Sequence, residues 1–351
     1  MKGVLFYFPN DSHQGQVQLA YMMKWSPHNA RYFRLRLVVV WLLSCGILFQ
    51  YNRSLRRLTF DTSVKKPPPV PTPCIAFLLA NAAKDVHNSI LAIESIDDYI
   101  KDESAIPLLV FQEGDLSSET RKRIISASQN REIIFPYVDF SSYPSGFDPL
   151  GETNNINGTW GHQQVSRFWI NQLWTHDAVR DRNCESIMRL DADSCFLKHM
   201  DVGDALPGLK WDTVVYRANK MQKDNSAPFV KGLFQFTQLY METKSLKPRN
   251  KDMWEKANTL FQKTGRLPSF STDFEICKVS FFARKDVMDY QMAIADQQPF
   301  GVFRESWSDV HVRFITLALF AEPSMVDLNT PSSYGHGWRC PGIHGDIVEG
   351  F

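Results

Sequence analysis

Apolar and polar positions along this chain change rhythm at short intervals. CIAFLLAN (74–81) is a continuous apolar run of buried-strand length, and Asp85 to Ile100 carries apolar residues at helical spacing. IPLLVFQE (106–113) reads as a strand, Ser117 to Ser128 as a helix and EIIFPYV (132–138) as a further strand. Strand and helix in alternation predict an α/β fold with a mostly parallel central sheet and helices on both faces, where ligands bind beyond the carboxyl ends of the strands. No long Pro/Gly/Ser linker interrupts the aromatic-rich second half, so residues 74–351 read as one domain, with Gly151 to Gly158 as a loop within it.

The first 73 residues follow a different pattern. Leu37 to Phe49, LVVVWLLSCGILF, has no charge and is bracketed by Arg31, Arg34 and Arg36 before it and by Arg53, Arg56 and Arg57 after it. We read residues 37–51 as a single N-terminal transmembrane helix. The run is shorter than the about 17–25 residues of a full span, but snorkelling arginines extend it. A buried helix would sit poorly with three arginines at each end. The balanced flanking charges leave orientation undecided. Residues 52–73 end in KKPPPVPTP (65–73), which favours extended polyproline geometry over helix or inner strand and reads as a stem. Asn52-Arg53-Ser54 and Asn157-Gly158-Thr159 are glycosylation sequons, usable if the C-terminal side is lumenal.

Composition narrows the function. With 44% apolar and 22% charged residues the chain is neither disordered nor fibrous. Its 39 basic and 38 acidic residues leave a net charge of +1, so there is no broad basic surface and nucleic acid is not an expected partner. The six cysteines contain no CxxC pair, which removes zinc ribbons and thioredoxin-like sites. Cys45 lies in the apolar run, leaving Cys74, Cys184, Cys195, Cys277 and Cys340 to form two bridges at most. Neither GxGxxG nor a Walker loop is present.

The sharpest chemical signal is IMRLDADS (187–194), an apolar approach ending in two carboxylates, Asp191 and Asp193. At a strand end such a DxD supplies oxygen ligands for a hard divalent cation that neutralises a diphosphate leaving group. A nucleotide-sugar transferase uses it in this way. A DxD phosphatase would use one Asp as nucleophile, but opens its fold with the motif. A calcium loop is excluded by Cys195 and Phe196 at positions where a ligand and the turn glycine belong. An ordinary Asp-rich turn is the plain alternative.

Downstream, GLFQFTQLYME (232–242), STDFEI (271–276), ESWSDVHVRFITLALF (305–320) and YGHGWRCP (334–341) accompany the DxD. Together with CIAFLLAN, ILAIESIDDYI, PLLVFQE, EIIFPYVDFSSYP and Ser166-Arg167-Phe168 they resemble, in order, the fungal-type α-1,2-mannosyltransferases of glycosyltransferase family 15. The resemblance implies a GT-A-like nucleotide-diphospho-sugar transferase fold and a Golgi membrane protein of single-pass type II topology. Residues 1–36 would be its cytoplasmic tail and 74–351 its lumenal catalytic domain. It further implies retaining α-1,2 transfer of mannose from a GDP-mannose donor to a mannosylated glycan acceptor, protein- or lipid-linked, with Mn²⁺ (or Mg²⁺).

The same resemblance assigns roles. Asp191, Asp193 and His336 match the metal ligands, Asp191 standing where the family has glutamate. Glu275 matches the acid facing the anomeric carbon, as nucleophile or as stabiliser of positive charge; read alone, it is a solvated strand end. Asp309 and Glu305 match acids that orient the acceptor, or else form a helix N-terminal pair. Trp307 would stack on a sugar, or lie in the core. Arg167 and Arg189 would neutralise diphosphate charge, or form structural ion pairs. The chain departs from the family at His311 and Arg313, which replace proline and histidine, at His162, which replaces a tyrosine, and in YGHGW, which replaces a proline-rich loop. A catalytically lapsed, carbohydrate-binding relative and a transferase using another nucleotide sugar are the alternatives. Zinc at His336, Cys340 and His344 would lack a fourth ligand.

Overall fold

Six apolar or small residues in TPCIAFL would be poorly solvated, and in the computed structural model they form the inner strand β1 (Thr72–Leu78). The structure describes residues 72–101, 106–129, 131–152, 160–201, 213–218, 221–223, 230–328 and 333–342. The expected tail, the anchor, the stem up to residue 71, both sequons and His344 lie outside these residues. No helix among the described residues is long and apolar enough to cross a membrane.

In chain order, β1 is followed by α1 (Ala83–Tyr99), β2 (Ile100–Lys101), β3 (Leu108–Phe111), α2 (Ser118–Ser126), β4 (Ile133–Ile134) and α3 (Gly161–Arg167). Next come α4 (Asp177–Asp181), β5 (Cys184–Leu190), β6 (Ser194–Phe196), β7 (Met200–Asp201), β8 (Tyr216–Ala218), β9 (Met221–Lys223), α5 (Leu233–Lys244) and α6 (Lys251–Thr264). The last part holds β10 (Pro268–Phe270), β11 (Phe274–Lys278), α7 (Val279–Phe282), α8 (Lys285–Ala295), α9 (Gly301–Arg304), α10 (Asp309–Phe320), β12 (Val326–Asp327) and β13 (Tyr334–His336).

The central sheet has seven strands in the order β12-β8-β11-β5-β1-β3-β4. It is parallel except at β11, which runs antiparallel to both β5 and β8. This is the mostly parallel α/β sheet expected from the alternating pattern. The strands alternate strictly: Ile75, Phe77, Leu108, Val110, Met188, Leu190, Phe274 and Ile276 face α1 and α2. Cys74, Ala76, Leu109, Phe111, Ile187 and Cys277 face the opposite core, which α8 and α10 complete. Both faces are therefore covered, as a parallel sheet requires.

Three boundaries differ from expectation for physical reasons. Pro73, placed in the stem by its proline run, lies in an inner strand; the register shifts between Thr72 and Pro73, the kind of irregularity that accommodates a missing N–H. EIIFPYV pairs as a strand only at Ile133 and Ile134, because Pro136 cannot donate; pairing resumes as an isolated bridge at Tyr137. Helix α2 begins one residue later than expected, since Ser117 is its N-cap, accepting from the Thr120 amide at 3.0 Å. Helix α10 is apolar nearly all round and is buried along its length, so the polar residues it carries inward, Asp309, His311 and Arg313, must be there for a reason.

Candidate active site

Strand β5 delivers the DxD. Its last residue is Leu190, so Asp191 and Asp193 stand just beyond the carboxyl end of an inner strand, where ligands bind in such sheets. The chain then turns back, with the Ser194 amide donating to the Asp191 carbonyl at 3.0 Å, and enters β6. Strand β13 pairs antiparallel with β6 and sets His336 opposite Ser194. A disulfide between Cys195 and Cys340 and a hydrogen bond from the Gly337 amide to the Asp193 carbonyl, 3.0 Å, close the same loop. Tyr334 adds a third tie, its hydroxyl 2.8 Å from Ser194 Oγ and donating to the Asp273 carbonyl at 2.9 Å. Gly335 suits this close approach, since a Cβ would lie 3.0 Å from Cys195 Sγ.

These ties bring together three residues that are far apart in sequence. His336 Nε2 lies 3.1 Å from Asp193 Oδ1 and 3.8 Å from Asp191 Oδ2, and one ligand atom from each residue falls within 4.8 Å of the others. All three side chains are partly exposed, so a ligand can reach them. Partial burial pushes the Asp191 carboxyl up to about 6, and Arg189 and His336 hold it from rising further. The hydrogen bond to Asp193 raises the His336 imidazole above its ordinary value, against the effect of desolvation. Two carboxylates and an imidazole form a donor set better suited to Mn²⁺ than to Mg²⁺, which keeps to oxygen ligands, and the clustered negative charge fits a divalent cation. Zinc through Cys340 is excluded by its disulfide.

Behind the cluster lies a layer of charge that the sequence did not reveal as a unit. Arg189 on β5 is paired in register with Glu275 on β11, and both point to the face covered by α10. Asp309 and Arg313, one turn apart on α10, meet them. Arg189 Nη1 donates to Asp309 Oδ2 at 2.6 Å and lies 3.4 Å from Glu275 Oε1, while Nη2 is 3.7 Å from Asp191 Oδ1. Arg313 takes both Glu275 oxygens, at 3.0 and 3.1 Å, and its Nη2 also donates to the Trp169 carbonyl at 3.0 Å. Glu275 is 0% exposed. Burial alone would weaken both guanidinium cations, but Asp309, Asp191 and Glu275 hold Arg189 above the usual arginine range, and Glu275 does the same for Arg313. Burial would raise Asp309, yet Arg189 keeps it below the usual carboxylate value.

The other expected site residues stand as follows. Glu275 is a buried ion-pair member, neither a solvated strand end nor an acid with an open face. Trp307 is 2% exposed; its indole N–H donates to the Lys231 carbonyl at 2.6 Å, and its ring covers Gly301 and packs against Phe236. That is a core position, with no open face for a sugar. Arg167 is held by Asp296 at 2.6 Å and by the Ser142 carbonyl at 2.8 Å, the structural ion pair of its two readings. Glu305 is partly exposed, 3.3 Å from the Lys231 ammonium. His162 is exposed on α3.

Sequence reasoning missed Asp273, the half-buried acid of STDFEI, whose carbonyl accepts from the Asp191 amide at 3.2 Å and whose carboxylate accepts from Tyr334 Oη at 3.1 Å. It also missed Thr272, which donates to Asp309 at 3.3 Å, and Trp169, whose ring lies under the Arg189 guanidinium at 4.2 Å. The second acid of STDFEI was a usable signal for Asp273; for Trp169 there was none.

The fold has solved counterparts. It is similar to core-mannan synthase A (CmsA/Ktr4) from Aspergillus fumigatus in its Mn/GDP form, with TM-score 0.64 and 17% identity over 78% of this chain and 77% of that one. It is similar also to the mannosyltransferase Ktr4p from S. cerevisiae, with TM-score 0.64 and 18% identity over 75% of this chain and 70% of that one. The same yeast protein in complex with GDP gives 0.63 and 18% over 78% and 73%. No family model matches the chain, and no curated protein matches it in sequence. The resemblance to the fungal family 15 enzymes thus extends to the fold, while the identity is too low to carry function with it.

Proposed function

We propose that this chain is a metal-dependent mannosyltransferase that uses GDP-mannose. The observation that carries this reading is the Asp191, Asp193 and His336 cluster beyond the end of β5. It sits in a fold shared with mannosyltransferases whose structures hold Mn and GDP. A bound Mn²⁺ would be held by these three side chains and would supply charge neutralisation on the diphosphate. Arg189, fixed between Asp191 and Asp309, adds a cation beside the site whose charge is permanent at any working pH. In the transfer, the bond from the anomeric carbon to the β-phosphate oxygen breaks and GDP leaves with the electron pair. An acceptor hydroxyl oxygen forms the new bond and gives up its proton.

The finer reading follows the motif resemblance: α-1,2 linkage, retention, a mannosylated acceptor, and a type II Golgi protein with its catalytic domain lumenal. Its test is transfer from radiolabelled GDP-mannose to methyl α-mannoside by the full chain, with Mn²⁺ and with chelator, the product linkage read with an α-1,2-specific mannosidase. A chelator-sensitive α-1,2 product is the expected result. Absence of GDP binding by folded protein would overturn the donor assignment. GDP binding without turnover would favour the lapsed relative. Protection of the C-terminal domain from protease in sealed vesicles is expected for a lumenal domain, and digestion there would refute it.

A further inference from the structure

Glu275 is the acid that the family resemblance sets against the sugar, and its surroundings forbid that use. A nucleophile must present a free lone pair in line with the anomeric carbon, at about 3–3.5 Å. Both oxygens of Glu275 are instead taken by the planar fork of Arg313, and Oε1 lies within reach of Arg189 as well. Three N–H groups aimed at one carboxylate draw off the electron density an attacking oxygen needs.

The residue is also unable to leave. It is locked in register between Arg189 on β5 and Ala218 on β8. Arg313 is flanked by the Trp174 and Phe282 rings at 4.9 and 4.5 Å, and its Nη2, which donates to Glu275, is also fixed on the Trp169 carbonyl. Swinging Glu275 outward would strand a buried guanidinium without its partner, a strongly unfavourable state. The i, i+4 spacing on α10 carries the consequence outward. The helix that supplies Arg313 to Glu275 supplies Asp309 to Arg189, and Arg189 reaches Asp191 of the metal cluster.

We infer that Glu275 and Arg313 are positioning residues, a buried anion–cation strut that holds Arg189 between Asp191 and Asp309. The inference rests on the mannosyltransferase reading above.

The test is a double-mutant cycle in the full chain with Glu275→Gln, Arg313→Met and both together, read by Mn²⁺-dependent GDP affinity, turnover and thermal unfolding. A strut predicts that each single variant weakens GDP binding about 10- to 100-fold, the range for groups that orient a ligand shell. The double variant should be no worse than the worse single, and Arg313→Lys should recover part of the loss. The inference is overturned if Glu275→Gln keeps parental GDP affinity but loses turnover at least about 10²-fold while Arg313→Met turns over normally. A second measurement needs no variant: parent protein quenched during turnover and digested should yield the Glu275 peptide without a hexosyl adduct, and an adduct there refutes the proposal. If the parent binds no GDP, the mannosyltransferase reading falls. The coupling of the two residues in thermal stability then still decides the strut, non-additive for a strut and additive without one.

Discussion

Removing the Cys195–Cys340 bridge should do two separable things. It closes a chain segment of 145 residues, and the loop-entropy relation gives about 5 kcal/mol for that length at 25 °C. Losses on removal of native bridges typically run about 2–5 kcal/mol, so the relation marks the upper end. The Cys74–Cys184 bridge closes 110 residues and gives nearly the same figure, about 5 kcal/mol. The two differ in place. Cys184 begins β5 and Asp191 follows its end, so that bridge is about 23 Å of strand away from the metal cluster. Cys195 and Cys340 flank the pairing that sets His336 against the DxD. We therefore expect Cys195→Ala/Cys340→Ala and Cys74→Ala/Cys184→Ala to lower guanidinium stability by similar amounts. The first alone should weaken Mn²⁺ affinity, by about 10- to 100-fold as for other orienting groups. The assay is Mn²⁺ titration of GDP binding in the absence of denaturant. Equal weakening by both pairs, or none by the first, would refute the claim that this bridge holds His336 in place.

Three further outcomes follow from the same geometry. Asp193→Asn should cost at least about 10²-fold in turnover, the scale for a preorganised electrostatic group, and unchanged activity in Mn²⁺ would remove Asp193 from the site. His336→Ala should shift the Mn²⁺ requirement to higher concentration with the fold intact by circular dichroism; a superimposable titration would leave His336 a strand-end residue with no part in metal binding. Gly301→Ala should lower stability by about 1–3 kcal/mol or more, because the added Cβ would fall within the Trp307 ring, which is buried and cannot move aside. A parental denaturation midpoint would show that Trp307 is not packed as a core residue.

Much of this molecule is legible from its residues in order. Runs such as CIAFLLAN and IMRL have no polar positions to expose, so they become inner strands. The acids that end the second run then fall at the carboxyl edge of the sheet, where a ligand site forms. The carboxylates Asp191 and Asp193 were identifiable as metal chemistry in this way, His336 joined them only through the family resemblance, and the cysteine count limited the bridges to two, the number found among the described residues. Proline placed the limits of strands less well, since a register shift lets Pro73 sit in an inner one.

What the order of residues left open was whether each charged side chain faces outward or inward. Glu275, Asp309 and Arg189 read as site residues and Arg313 only as a departure from the family, because charged groups are costly to bury alone. Burial became possible through pairing across three elements, β5, β11 and α10, separated by as many as 124 residues between Arg189 and Arg313. Trp307 likewise reads as a sugar platform or as core with equal ease until Gly301 is seen against its ring. Local pattern determines which segments must be buried, because solvation acts residue by residue. Partner choice among buried charges depends on register and helix placement, which exist only once the chain has folded.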